Sequence, residues 1–162
     1  KIENYALQIF DAMKKFHGLG TRERLLLQIA SILHDCGKFI SLRDSSACAY
    51  NIIMATEIIG LSHAEREIVA EVVRCNLDAF RYGEGSIRAG KLTAMLRLAN
   101  AMDRSHHGRL DDGKLQVKGN KLIISTSYAG NLALETIAVE DKADFFEEMF
   151  GIRPEIRQKR RV

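Results

Sequence analysis

Only one proline, Pro154, occurs among the 162 residues, so little in the backbone chemistry forbids a helix from starting or continuing anywhere before it. Element type is then decided by hydrophobic period. Apolar residues make up 46% of the chain, aromatic ones only 7%, and Trp is absent, which makes any core largely aliphatic. A chain of this length buries roughly 70% of the surface its unfolded form exposes, enough for one ordinary domain with a real interior. The expectation is a mainly α fold.

The period supports it over the first two thirds of the chain. Ile2, Tyr5, Ala6, Ile9, Phe10 and Met13 recur at helical spacing, and this first helix runs to about Lys15 before His17-Gly18-Leu19-Gly20, where glycines suit a helix stop. Thr21 is placed as the cap of a second helix with Glu23 in its first turn. That helix carries Leu25, Leu26, Leu27, Ile29, Ile32 and Leu33, apolar on more than one face, as in the centre of a bundle. His34, Asp35 and Cys36 form its last turn, closed by Gly37.

A third helix is expected from about Ala47 to Ile59, stopped by Gly60. Ser62-His63-Ala64-Glu65 reads as a capping box opening a fourth, to about Phe80. Tyr82–Ser86 is a loop, and Ile87–Arg104 a fifth helix. Beyond Arg104 the period turns to alternation, predicting a hairpin of Lys114–Lys118 and Lys121–Ser127 around Gly119-Asn120. A strand near Leu132–Val139, a helix near Asp141–Met149 closed by Gly151, and a strand near Glu155–Arg160 follow. The expected division is a helical domain over residues 1–108 and a small α+β appendage over 109–162. Because Lys1 already stands in mid-helix rhythm, the chain is expected to be part of something longer.

The net charge is +3, and acids alternate with bases except in Arg157-Gln158-Lys159-Arg160-Arg161, so specific nucleic-acid binding is not expected. No apolar run reaches the ~18 residues that span a bilayer, and no membrane association is expected. Cys36, Cys48 and Cys75 lack zinc-ligand spacing and read as reduced thiols of a cytoplasmic protein.

The chemistry-bearing feature is His34-Asp35 at a helix end. Adjacent His and Asp side chains can converge on one divalent ion, but a hydrolytic centre needs further ligands and an open position for an activated water. The plainer alternative is that His34 caps the last carbonyls while Asp35 pairs with a base such as Lys38.

The longer string narrows the choice. Leu33-His34-Asp35-Cys36-Gly37-Lys38 resembles the signature of the HD superfamily of metal-dependent phosphohydrolases. With it, in order, stand His17-Gly18-Leu19-Gly20, Glu23-Arg24-Leu25-Leu26, Phe39-Ile40-Ser41, Gly60-Leu61-Ser62 with Glu65, and the run Leu96 to His106. Together these resemble the C-terminal half of the exopolyphosphatase and guanosine pentaphosphatase family over nearly the whole chain. The resemblance implies an HD-domain-like helical bundle followed by the α+β appendage. It also shows departures: Asn4 stands near the distance of an HD protein's first His, while alignment of Ala6–Asp11 with the family's first helix places the corresponding His just upstream of Lys1, either outside the chain or lost; Ser45 and Ser46 stand in a His-bearing stretch, Asn76 in place of a later His, and Asn100 where an HD protein has its last Asp, with Asp103 offset. The pair His34 and Asp35 is therefore read as degenerate, with no metal expected and no catalytic residue here. As structural groups, His34 and Asp35 are expected to hydrogen-bond Asn76 and Asn100.

In the family resembled, phosphoanhydride hydrolysis belongs to N-terminal actin-like domains with a cation such as magnesium, so no cofactor is expected in this chain. Its implied contribution is to hold inorganic polyphosphate or guanosine pentaphosphate and to form a homodimer beside those N-terminal catalytic domains. Candidate anion contacts are Lys38, Arg43, Arg81, Arg88, Arg97, Arg104 and His106, with His107 beside it; Lys and Arg along a groove gain by counterion release on a polyanion. Two other readings stay open: a true HD phosphohydrolase acting on a nucleotide, and a purely structural or regulatory dimerisation module.

Overall fold

The computed structural model describes residues 2–34, 45–77 and 87–159, with only the backbone of Ser45, Ser46, Asn76 and Leu77. Among these residues the elements are α1 (Ile2–Ala12), α2 (Lys14–His17), α3 (Thr21–Leu33), α4 (Ser45–Ala55), α5 (His63–Leu77), α6 (Ile87–Met102), β1 (Lys114–Lys118), β2 (Lys121–Thr126), α7 (Ala133–Phe150) and β3 (Arg153–Gln158). The fold is mainly helical, with a small three-stranded sheet. No helix among the described residues is long and apolar enough to cross a membrane.

Contacts group the chain into two compact units, Leu19–Leu96 and the pair of segments Lys1–Gly18 and Arg97–Val162. Among the described residues the regular elements of the first unit are helices, with α5 packing on both α3 and α4. Leu26, Leu27 and Ala30 of α3, Ala49 and Ile53 of α4, and Val69, Ala70, Val72, Val73 and Cys75 of α5 are buried. Each fully buried aliphatic side chain of this size contributes about 1.5–3 kcal/mol. Two helix starts in this unit are closed with the help of carboxylates. Ser62 caps α5 as expected: its Oγ accepts from the Glu65 amide at 3.1 Å, and Glu65 Oε1 accepts from the Ser62 amide at 3.0 Å. Position 20, not Thr21, caps α3. Gly20 is extended, with φ −106° and ψ −168°, and Glu23 reaches back to accept its N–H at 3.0 Å, which makes Thr21 the first helical residue.

The second unit carries α1, α2, the end of α6, the sheet and α7. Strand order is β1-β2-β3, with β1 and β2 antiparallel and β2 and β3 parallel. The hairpin turns at Gly119-Asn120, where Gly119 takes φ +61°, as its position predicts. A parallel neighbour needs a crossover connection, and α7 supplies it, packing on β3. As central strand, β2 buries Leu122, Ile123 and Ile124 in succession.

The expected strand at Leu132–Val139 is a correction: it is the first half of α7. Leu132, Glu135, Val139, Ala143 and Phe146 are buried at helical spacing, and the Asn131 side chain accepts the Ala133 amide at 2.8 Å. The β-branched Thr136, Ile137 and Val139 mimic a strand, but the buried period and the cap override that local preference. The fifth expected helix likewise ends at Met102, two residues before Arg104.

Candidate functional site

α3 closes on His34. Ser31 Oγ donates to the Leu27 carbonyl at 2.7 Å, and His34 Nδ1 donates to the Ser31 carbonyl at 2.5 Å. One imidazole nitrogen is thus spent on the helix end. Asp35, Lys38, Arg43 and Arg81 lie outside the described residues, as does the side chain of Asn76, so the expected hydrogen bonds across to Asn76 fall there too.

In the all-helical unit, Arg88 opens α6 and its Nη1 donates to Glu23 Oε1 at 3.0 Å. Burial raises the Glu23 carboxyl, but bonds from Arg88 and the local amides outweigh this and hold it below its usual range. The charge of Arg88 is therefore answered from within the chain.

The other three named cations belong to the second unit. Arg97 lies over the Phe145 ring, 4.9 Å from its centre, an arrangement in which the ring's negative face meets the guanidinium. Arg104 and His106 follow α6 directly and are both exposed. The turn that carries them is held from below. Asp103, nearly fully buried, accepts the His106 amide through its carbonyl at 2.9 Å and the Gly108 amide through Oδ1 at 3.1 Å. His106 takes φ +60° and Gly108 φ +62°; such left-handed conformations cost a non-glycine residue about 1 kcal/mol or more, so the Asp103 bonds sustain a strained corner at His106. The outcome is that Arg104, His106, His107 and Arg109 all project from one fixed turn.

Further bonds tie this turn to the rest of its unit. Ser105 Oγ donates to Glu135 Oε1 at 2.5 Å; Glu135 is fully buried in the first turn of α7, and its Oε2 has no hydrogen-bond partner among the described residues. Tyr5 Oη donates to Asp111 Oδ1 at 2.5 Å; burial first, and then the Asp111 carboxylate, push the phenol well above its ordinary range. Asp112 accepts from Thr126 Oγ1 at 2.8 Å and from both the amide and hydroxyl of Ser127, which holds its carboxyl below the usual range. Arg109 Nη1 donates to the Asn131 carbonyl at 2.9 Å, and its guanidinium lies 5.7 Å from the Tyr128 ring centre. His107, Gly108, Arg109, Asp111, Asp112, Ser127, Tyr128 and Ala129 enclose an open cleft of about 640 Å³.

The family model for Ppx/GppA phosphatase, domain III, matches residues 1–140. The chain belongs to the Ppx/GppA phosphatase family. No curated protein matches the chain. The domain III match takes in both ends of the Arg104–Arg109 turn and its Asp103 and Glu135 supports, and it stops within α7.

Of the cations expected from sequence, the structure gathers Arg104 and His106 on one turn of this domain III chain and pairs Arg88 internally. Sequence reasoning did not single out Arg109, although its place five residues after Arg104 with a glycine between was the available signal. The Ser105–Glu135 bond had none, since it joins residues 30 positions apart. Among the described residues, no group of three or more His, Cys, Asp or Glu side chains is arranged to hold a metal ion.

Proposed function

We propose that this domain III chain grips a linear polyanion, inorganic polyphosphate or the phosphates of guanosine pentaphosphate, for hydrolysis carried out by actin-like domains of the same cytoplasmic protein. The observation that carries the reading is the Arg104–Arg109 turn, a backbone corner braced by Asp103 that carries two guanidinium and two imidazole groups together. Preorganised cations spend less of their attraction on ordering themselves. A chain of phosphates with about one charge each would displace counterions along them. Arg97, already over the Phe145 ring, adds a further guanidinium in the same unit; Arg88 is assigned to this role on the family resemblance. Lys38, Arg43 and Arg81 are assigned to the same role on the family resemblance. The helical part is an HD-like bundle in which His34 serves a helix end. The magnesium ion belongs to the catalytic domains, and the assembly is a homodimer.

The test is binding of fluorescent polyphosphate by anisotropy across a salt series. Affinity should fall linearly in log K against log salt. Arg104→Ala and Arg109→Ala should each weaken it several-fold and reduce the slope by about one. Absence of binding at low ionic strength would remove the polyanion role.

A further inference from the structure

Glu135 is a buried acid that packing alone does not explain. It stands in the first turn of α7, fully buried, with Oε1 taking the Ser105 hydroxyl at 2.5 Å and Oε2 without a hydrogen-bond partner among the described residues. A buried carboxyl group with one oxygen unanswered lowers stability, which a well-packed apolar side chain of similar volume does not. The other buried residues along this side of α7 are of that apolar kind: Leu132, Val139, Ala143 and Phe146. The partner that Glu135 does have lies between Arg104 and His106, inside the cationic turn.

That turn is tied twice to residues at the start of α7. Ser105 reaches Glu135, and Arg109 Nη1 reaches the Asn131 carbonyl at 2.9 Å. The Asp103 bonds to the His106 and Gly108 amides are local, so they shape the corner but do not hold it against α7. The two ties differ in what a polyanion does to them. A guanidinium that turns a donor toward a phosphate gives up some of its hold on a neutral carbonyl, because the charge-assisted bond is the stronger. Glu135 is buried beyond a polyanion's reach, so its bond to Ser105 is the tie that remains.

We propose that Glu135 is a positioning residue. It holds Ser105, and with it the corner between Arg104 and His106, against α7 while Arg109 exchanges its carbonyl for a phosphate, and it lowers the stability of the fold in doing so. The inference rests on the polyanion reading of this turn and adds the residue that keeps the turn in place.

Glu135→Met and Glu135→Gln, made in the 162-residue chain, separate the roles. Met fills similar space without the tie; Gln keeps an oxygen for the Ser105 hydroxyl. Residue-resolved hydrogen exchange reads the turn with no ligand present. The His106 and Gly108 amides should exchange several-fold faster in Glu135→Met and at the parent rate in Glu135→Gln. The thermal midpoint of Glu135→Met should not fall below the parent's. Fluorescent polyphosphate should bind Glu135→Met several-fold more weakly and Glu135→Gln no more weakly, with the slope against log salt unchanged because no phosphate contact is removed. Ser105→Ala should reproduce the loss, and joining it to Glu135→Met should add nothing further. A lower midpoint in Glu135→Met, or a failure of that variant to fold, would overturn the proposal and assign the acid to the start of α7, where the helix dipole favours it. Unchanged exchange at both amides would overturn it as well. A parent that binds no polyphosphate overturns the polyanion reading and the role in binding with it, whereas equal binding by the parent and Glu135→Met overturns the positioning role alone.

Discussion

At the scale of single residues, the clearest chemistry is that of carboxylates spent on backbone amides and guanidinium groups. Glu65 is the strongest case. Arg22 Nε donates to its Oε2 at 2.9 Å and Arg22 Nη2 to its Oε1 at 2.7 Å, while the Ser62 amide adds a third bond. These bonds, Arg22 first, bring its carboxyl down from 4.5 to about 2. A carboxyl depressed on folding stabilises the fold above its unfolded value and loses that contribution as pH falls through its folded value. The parent should therefore lose part of its stability between pH 4.5 and about 2, and Glu65→Gln should lose less over that window while starting from a lower thermal midpoint at neutral pH. Melting curves of both proteins across this range check it. Parallel loss from the neutral side to the acid limit would show that the Arg22 bonds do not act on folding.

At the scale of elements, legibility followed the range of the forces involved. The Ser62–Glu65 box and the Gly119 turn were readable because cap and partner lie within three residues, and because a hairpin turn demands a positive φ. Gly20 was missed as a cap because glycine offers no side-chain oxygen to signal one; Glu23 does the work from inside the helix. α7 was misread in its first half because Thr136, Ile137 and Val139 carry strand preference, whereas what fixes the helix is burial of Leu132, Glu135, Val139 and Phe146 against partners far along the chain. Arg104 and His106 were readable as chemistry, but their presentation on a turn braced by Asp103 and Glu135 depends on that misread helix. The Asn131 cap carries a test of the same point. Asn131→Ala removes the acceptor of the Ala133 amide and should cost about 1 kcal/mol, seen as a lower urea midpoint at unchanged slope. No change in midpoint would mean that burial along α7 alone fixes where the helix starts.

At the scale of the whole molecule, α6 is the element shared by both compact units, with residues through Leu96 counted in one and those from Arg97 in the other. It buries Leu92, Met95 and Leu96 before that point and Leu98 and Met102 after it, so breaking this helix costs apolar burial in both units at once. The chain should accordingly melt in a single transition. A polyanion seated on the Arg104–Arg109 turn binds the folded form and should raise the midpoint of that one transition. At a ligand concentration about a hundredfold above Kd the stabilisation is about 2.7 kcal/mol, which for a chain of this size is roughly 5–11 °C. The increment should shrink as salt is raised, because screening weakens each phosphate contact. Differential scanning calorimetry with and without polyphosphate reads both halves of the argument. Two separate transitions, of which only one moves with ligand, would show that α6 does not couple the units, and an immobile midpoint at low salt would show that the turn does not hold the polyanion.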